Sequence, residues 1–193
     1  MSGHVSGNQH LTTESTRRRL TERQAGTVRR LTDAAVAELR ETGYDGLTVR
    51  NVARRAGVAP ATAYTYFASK NHLITEVFWR RLSALPPVTE PGDVGGVLRG
   101  IALLVSDEPE LAAACTAAML GGDPDVRELR VRIGLEIRAR LQAALGEGAD
   151  PRVVGALEIA YAGALVHAGM GYTSYARMAD RLGEMAELIL NDS

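Results

Sequence analysis

The segment from Thr48 to Lys70, TVRNVARRAGVAPATAYTYFASK, allows the backbone few arrangements. Val49, Val52, Ala53 and Ala56 recur at i, i+3, i+4 and i+7, the spacing of one buried helix face, which leaves Arg50, Arg54 and Arg55 outside it. Thr48 is placed to cap this helix by accepting from a backbone N–H near Asn51. Gly57 supplies the permissive turn that two helices meeting at a wide angle need, and Val58 is expected to plug the angle between them. Pro60 is tolerated only in the first turn of a helix, where its missing N–H goes unused, so a second short helix is expected from Pro60 to Phe67. Ala63 and Phe67 form its inner face; Ala61, Thr62, Thr65 and Tyr66 are expected outside, with Tyr64 at the margin. Ser69 caps the next helix and Lys70 opens it. The pattern is a helix-turn-helix.

The rest of the chain reads as helices separated by clear breaks. Residues 1–20 are polar and lack apolar periodicity, so a flexible tail is expected, with Arg17, Arg18 and Arg19 as a candidate basic arm. A first helix spans about 22–42, carries Val28, Leu31, Ala35 and Leu39 on one face, and stops at Gly43. The helix after Ser69 presents Leu73, Val77, Phe78 and Leu82 inward and ends before PPVTEPG, Pro86 to Gly92, which has three prolines in seven residues. Further helices are expected over about 93–105, from Asp107-Glu108-Pro109 to Leu120, from Asp123-Pro124 to Leu145, from Asp150-Pro151 onward, and from Tyr175 to Leu190. Asp-Pro is an N-cap followed by an N1 proline, a strong helix start. With no strand pattern and only 5% aromatic residues, the expected class is all-α. The expected parts are the tail 1–20, a three-helix head at 21–70 and an antiparallel helical bundle at 71–193, joined by a helix over 71–85.

The overall charge of −1 conceals an asymmetry: residues 1–82 carry +6 and residues 83–193 carry −7. A basic head on an acidic body suits a protein that grips a polyanion with one end only. Cys115 is the single cysteine and no secretory leader pattern opens the sequence, so the expected compartment is the cytoplasm. The most apolar run, Val153 to Met170, contains Glu158 and His167 and is expected to be a buried helix and not a membrane span.

A helix-turn-helix over 48–67 would lay its second helix in the major groove of double-stranded DNA and its first across the backbone. Thr62, Thr65 and Tyr66 offer hydroxyls, Ala61 a methyl surface, and Lys70 an ammonium at a helix amino terminus where N–H groups also favour phosphate. The stretch from Leu31 to Leu73 resembles the amino-terminal domain of the tetracycline-repressor (TetR) family of bacterial regulators, matching at Ala34, Ala35, Gly43, Tyr44, Thr48, Val49, Val52, Ala53, Ala56, Gly57, Val58, Thr62, Tyr64, Tyr66, Phe67, Ser69, Lys70 and Leu73. The resemblance implies a homodimer on a palindromic operator and a carboxy-terminal domain that dimerises and binds a small-molecule inducer. It also implies that Thr48, Thr62, Tyr66 and Lys70 meet the DNA backbone while Ala61 and Thr65 lie nearest the bases; Arg50, Pro60 and Tyr64 complete the expected DNA-facing set. Two positions depart from the family pattern. Ala63 is smaller than the usual branched residue, and His72 replaces the acidic residue that usually completes a capping box with the serine. An exposed helix histidine or a phosphate contact are the two readings of His72.

The remainder carries no catalytic set. His4, His10, His72 and His167 have no metal-ligand spacing, no phosphate-cradling glycine loop is present, and neither metal nor cofactor is implied. Trp79, Cys115, Met119, Tyr161, His167 and Met170 are the candidates for lining a pocket for a mostly apolar inducer. The small residues Ala160, Gly163 and Ala164, with the stripe Met178, Leu182, Met185 and Ile189, are the candidate dimer interface. The expected function is transcriptional repression relieved by a small molecule. The alternatives are a ligand-dependent activator and a non-specific DNA-coating protein.

Overall fold

The computed structural model describes residues 22–191, and the candidate arm at Arg17–Arg19 falls outside them. The helices are α1 (Glu22–Gly46), α2 (Val49–Arg55), α3 (Pro60–Tyr66), α4 (Lys70–Ser83), α5 (Val94–Ala102), α6 (Pro109–Leu120), α7 (Arg127–Leu145), α8 (Pro151–Gly169) and α9 (Tyr175–Asn191). No strand occurs among the described residues, so the protein is all-α, as its pattern predicts. Gly43 breaks the helical geometry inside α1 at φ 66° and ψ 177°, where the sequence places the stop; one more turn follows before Leu47.

Two expected helices begin or end more tightly than their patterns suggest. α5 runs into a 3₁₀ turn at Leu103–Val105, and α7 is preceded by another at Pro124–Val126. In the second case Asp123 accepts from the N–H of Asp125 at 2.9 Å, two residues on, which draws the first turn into the narrower helix. Val126 at its end is fully buried.

One apolar core runs through head and body. In the head it comprises Val28, Leu31, Ala35 and Leu39 of α1, Val49, Val52 and Ala53 of α2, and Ala63 and Phe67 at the end of α3. Helix α4 continues it: every residue from His72 to Phe78 is buried. The cause is its position, since α4 packs against α1, α6 and α7 together. Burying a Leu, Ile, Val or Phe side chain contributes roughly 1.5–3 kcal/mol, and α4 places Leu73, Ile74, Val77, Phe78 and Leu82 in that position. In the body α9 lies across α5 and α8. At the α5–α9 crossing, a Cβ on Gly95 would sit 3.5 Å from the Gly183 Cα, so the two glycines let the backbones approach closely.

The α2–α3 angle depends on Gly57, which has φ +64° and open space around any added Cβ. A Gly57→Ala change therefore isolates the backbone term, because no neighbour would clash. It is expected to cost about 1–2 kcal/mol, the penalty of a left-handed alanine, read as a fall in the urea unfolding midpoint with unchanged slope.

Candidate nucleic-acid interface

The α2–α3 pair presents one polar face. Thr48 caps α2, its Oγ1 accepting from the Asn51 N–H at 3.1 Å. Arg50 and Arg54 are exposed on α2. Arg55 turns away: its Nε donates to Glu38 at 2.7 Å, its guanidinium also grips both oxygens of Glu41, and it serves the head's own structure. On α3, Pro60, Ala61, Thr62, Tyr64 and Thr65 are all exposed. The Thr65 hydroxyl donates to the Ala61 carbonyl at 3.0 Å, which leaves its lone pairs and methyl facing outward.

Tyr66 does not belong to this face. It is 8% exposed, so the outward placement expected for it fails, and Tyr64, expected at the margin, is 48% exposed. Ala63, Tyr66 and Phe67 stand at i, i+3 and i+4, which is the inner stripe of a helix. That periodicity is present in the sequence, and the tyrosine's hydroxyl is a weaker guide to its placement.

Beside this face lies a polar array at the amino terminus of α4. Lys70 Nζ donates to the Tyr44 carbonyl at 2.8 Å and sits 4.1 Å from the Tyr44 ring centroid, a cation–π contact. The Tyr44 hydroxyl donates to Asn71 Oδ1. Ser69 Oγ accepts from the His72 N–H at 3.0 Å and donates to Asp123 Oδ2 at 2.6 Å. His72 is not exposed: it is 6% exposed, its Nδ1 lies 3.4 Å from the Ala68 N–H, and its ring meets Phe67 edge-on at 5.6 Å. The expectation of an exposed histidine fails because α4 is buried at every position from His72 to Phe78 by the helices packed on it.

Asp123 links this array to the body. The Ser69 hydroxyl, then the Asp125 N–H, the Asn71 side chain and the field of His72 together hold its carboxyl below the ordinary value of 3.8, against a smaller opposing effect of burial. A lowered folded value means that its contribution to stability is complete above the ordinary carboxylate range and is lost as pH falls through the lowered value. A second tie lies at the other end of α6. Glu108, 8% exposed, accepts from Arg40 of α1 at 2.7 Å and from Arg81 of α4, and Arg81 also donates to the Leu104 carbonyl at 2.8 Å. Neither carboxylate stands out in the sequence as a site residue, because each partner is more than fifty positions away or lies on another helix.

In the body, the candidate pocket residues separate. Cys115 and Tyr161 are buried, and Trp79 and Met119 are half-buried against the core. His167 and Met170 are on the surface instead, where His167 meets the Tyr172 ring at 5.5 Å and Met170 is 64% exposed. They lie at the exposed carboxy-terminal end of α8, His167 in its last turn and Met170 just beyond it. Two half-buried polar residues that sequence reasoning missed, Thr116 and Tyr175, are joined by a 3.1 Å hydrogen bond. Tyr161 lies within electrostatic reach of Cys115 and Tyr175, and its buried hydroxyl has no hydrogen-bond partner. Desolvation holds the Tyr161 phenol in its protonated form. A separate hollow of about 350 Å³ is bounded by the segment from Leu85 to Glu90, α5 and Arg140. It contains none of the expected pocket residues.

The candidate interface residues also divide. Met178, Leu182 and Ala164 are buried in the chain's own core, and Ile189 and Ala160 are half-buried against it. Gly163 and Met185 remain exposed. The exposed apolar face is completed by Ile159 at 75%, Met170 and Leu188 at 67%, which continue the helical spacing of Gly163 and Met185. Among the described residues no group of three or more His, Cys, Asp or Glu could hold a metal ion, and no helix is long and apolar enough to cross a membrane.

A helix-turn-helix with an exposed polar second helix, set on an all-helical body, defines a DNA-binding regulator. Residues 31–77 match the family described as bacterial regulatory proteins, tetR family. The chain is 55% identical over 175 residues to an uncharacterised HTH-type transcriptional regulator of Mycobacterium tuberculosis, covering 87% of this chain and 82% of that protein. Over 68 residues it is 38% identical to the HTH-type transcriptional repressor KstR of the same species, covering 35% of this chain and 31% of KstR. Its fold is similar to that of a TetR transcriptional regulator from Rhodococcus sp. RHA1, with a TM-score of 0.71 at 20% identity over 90% of this chain and 99% of the other. The chain belongs to the TetR family of transcriptional regulators, which bind DNA and are not enzymes.

Burial pushes the Cys115 thiol up to about 12, so it stays protonated at neutral pH and cannot act as a nucleophile. Iodoacetamide at pH 8 is expected to leave the native protein unmodified and to label Cys115 completely in denaturant, read by intact mass.

Proposed function

We propose that the protein is a homodimeric repressor whose two α3 helices occupy successive major grooves of a palindromic operator until a small, mostly apolar molecule binds the body. The observation that carries this reading is the continuous exposed face of Ala61, Thr62, Tyr64 and Thr65, flanked by Arg50 and Arg54 and by Lys70. In this docking Ala61 and Thr65 lie nearest the base edges, while Thr48, Thr62, Tyr64, Arg50 and Lys70 meet the phosphates. Pro60 opens α3 without an N–H of its own. Lys70 has three donors, so its bond to the Tyr44 carbonyl leaves two for phosphate. The acidic body disfavours DNA elsewhere on the molecule. Repression, as opposed to activation, is supported by the 68-residue likeness to the repressor KstR.

The exposed apolar face of α8 and α9 supports the dimer. Ile159 and Gly163 on α8, and Met185 and Leu188 on the adjoining α9, are exposed at helical spacing, and a two-fold copy would cover them with the same residues. The effector reading is supported by Tyr161. A buried hydroxyl with no partner costs roughly 1–3 kcal/mol, which an apolar molecule carrying one hydrogen-bond acceptor would recover. Binding of such a molecule favours whichever arrangement of head and body it fits better.

Duplex selected from a random pool by the wild-type protein supplies the test. Affinity for it is expected to exceed that for random duplex by about 10³-fold or more, and a ratio near one would sink the operator reading. Arg50→Ala and Lys70→Ala should each weaken binding and reduce the slope of log affinity against log salt by about one. Ile159→Asp combined with Leu188→Asp should convert the dimer to a folded monomer in sedimentation analysis, and a dimer surviving both changes would place the interface elsewhere.

A further inference from the structure

We infer that Asp123 is a positioning residue for DNA binding: a carboxylate of the body that completes the capping of the head's α4 through Ser69 and so sets the alignment of its phosphate-facing end. The inference rests on the DNA-binding reading above. Ser69 is the N-cap of α4, and the third helical position, His72, has no carboxylate with which to close a capping box from within the helix. Because Ser69 Oγ accepts from the His72 N–H, its own O–H must find another acceptor, and Asp123 Oδ2 supplies it at 2.6 Å. That length is typical of a hydroxyl bonded to an ionised carboxylate, a charge-assisted contact. The other oxygen, Oδ1, accepts from the Asp125 N–H at 2.9 Å, so one oxygen is held by the body and one by the head.

The corner that carries Asp123 is itself fixed. Arg130 of α7 donates to the carbonyls of Met119 at 3.1 Å, Gly121 at 2.9 Å and Asp123 at 3.2 Å, which ties the end of α6 to the start of α7. On the head side, Ser69 is followed directly by Lys70, whose ammonium is bonded to Tyr44, and by Asn71, which receives the Tyr44 hydroxyl. A displacement of the α6–α7 corner is therefore delivered to the residue that begins α4 and next to the lysine offered to phosphate.

Charge and positioning predict opposite signs, which makes the inference decidable. A carboxylate beside a phosphate site repels DNA, so if Asp123 acted only as a charge, removing it would tighten binding. As a positioning residue, Asp123→Ala should weaken binding to the selected duplex about tenfold, the equivalent of losing one hydrogen bond to a charged group. Asp123→Asn, whose amide oxygen can still accept from Ser69, should stay within about threefold of wild type. Ser69→Ala should add little further loss once Asp123→Ala has already removed the bond, so the pair is non-additive.

Spin labels on Arg54→Cys in the head and Gln142→Cys in the body give a readout independent of affinity, and the buried Cys115 can stay in place. One narrow intramolecular distance is expected for the wild-type residue and for Asp123→Asn, both of which keep the bond, and a broadened distribution for Asp123→Ala. If Asp123→Ala fails to fold, Ser69→Ala removes the same bond from the other side and should weaken binding and broaden the distribution, whereas Asp123→Asn, which keeps the bond, should do neither. Wild-type-like or tighter binding by Asp123→Ala, an unchanged distance distribution, or strict additivity overturns the inference. A wild-type protein that selects no duplex overturns the DNA-binding reading instead.

Discussion

Between His72 and Phe78, helix α4 has no solvent-facing residue, and the arrangement of the other helices follows from that. An ordinary surface helix buries one stripe, whereas a helix buried all round must be clasped from both sides. Here α1, α6 and α7 all pack on it. Head and body consequently share one core and cannot tilt freely against each other without exposing Leu73, Ile74 or Phe78.

Apolar contact alone would leave that junction free to slide, since the hydrophobic effect has no direction. Direction comes from two carboxylates at opposite ends of α6. Glu108, before its first residue, is held by Arg40 and Arg81; Asp123, beyond its last, holds Ser69. Breaking either leaves a charged or hydroxyl group without its partner in a partly dry setting, which costs more than the bond's net worth. The polar residues Cys115, Thr116, Tyr161 and Tyr175 lie along the stretch of α6 between these ends and on the helices facing it.

Much of the head was legible because its signals are local. Thr48, Gly57, Pro60 and Ser69 each fix a backbone feature through a bond or dihedral within four residues, and all four occupy their expected places. The exposure of Ala61, Thr62 and Thr65 follows from the helical period, and the same period, with Ala63, Tyr66 and Phe67 at i, i+3 and i+4, turns the Tyr66 ring inward despite its hydroxyl. The body was legible as a series of helices and much less as a site. Met178 and Leu182 form a strong apolar stripe, but such a stripe serves the chain's own core first; the weaker one through Met185 and Leu188 is what remains outside. His167 and Met170 misled for a related reason, since α8 is apolar on several faces and its sequence does not mark which one α6 covers.

By itself the sequence determined the helices, their caps and breaks, the helix-turn-helix, and the division into a basic head and an acidic body. Those depend on interactions within a few residues or on composition. Only the tertiary structure decided that His72 is buried, that Lys70 rests on Tyr44, and that Ser69 and Arg40 are answered by Asp123 and Glu108. The partners in these last pairs are 54 and 68 residues apart. Nothing in a local pattern selects among many carboxylates at such a distance; the packing of α4 against α6 and α7 brings two of them within hydrogen-bonding range of the head.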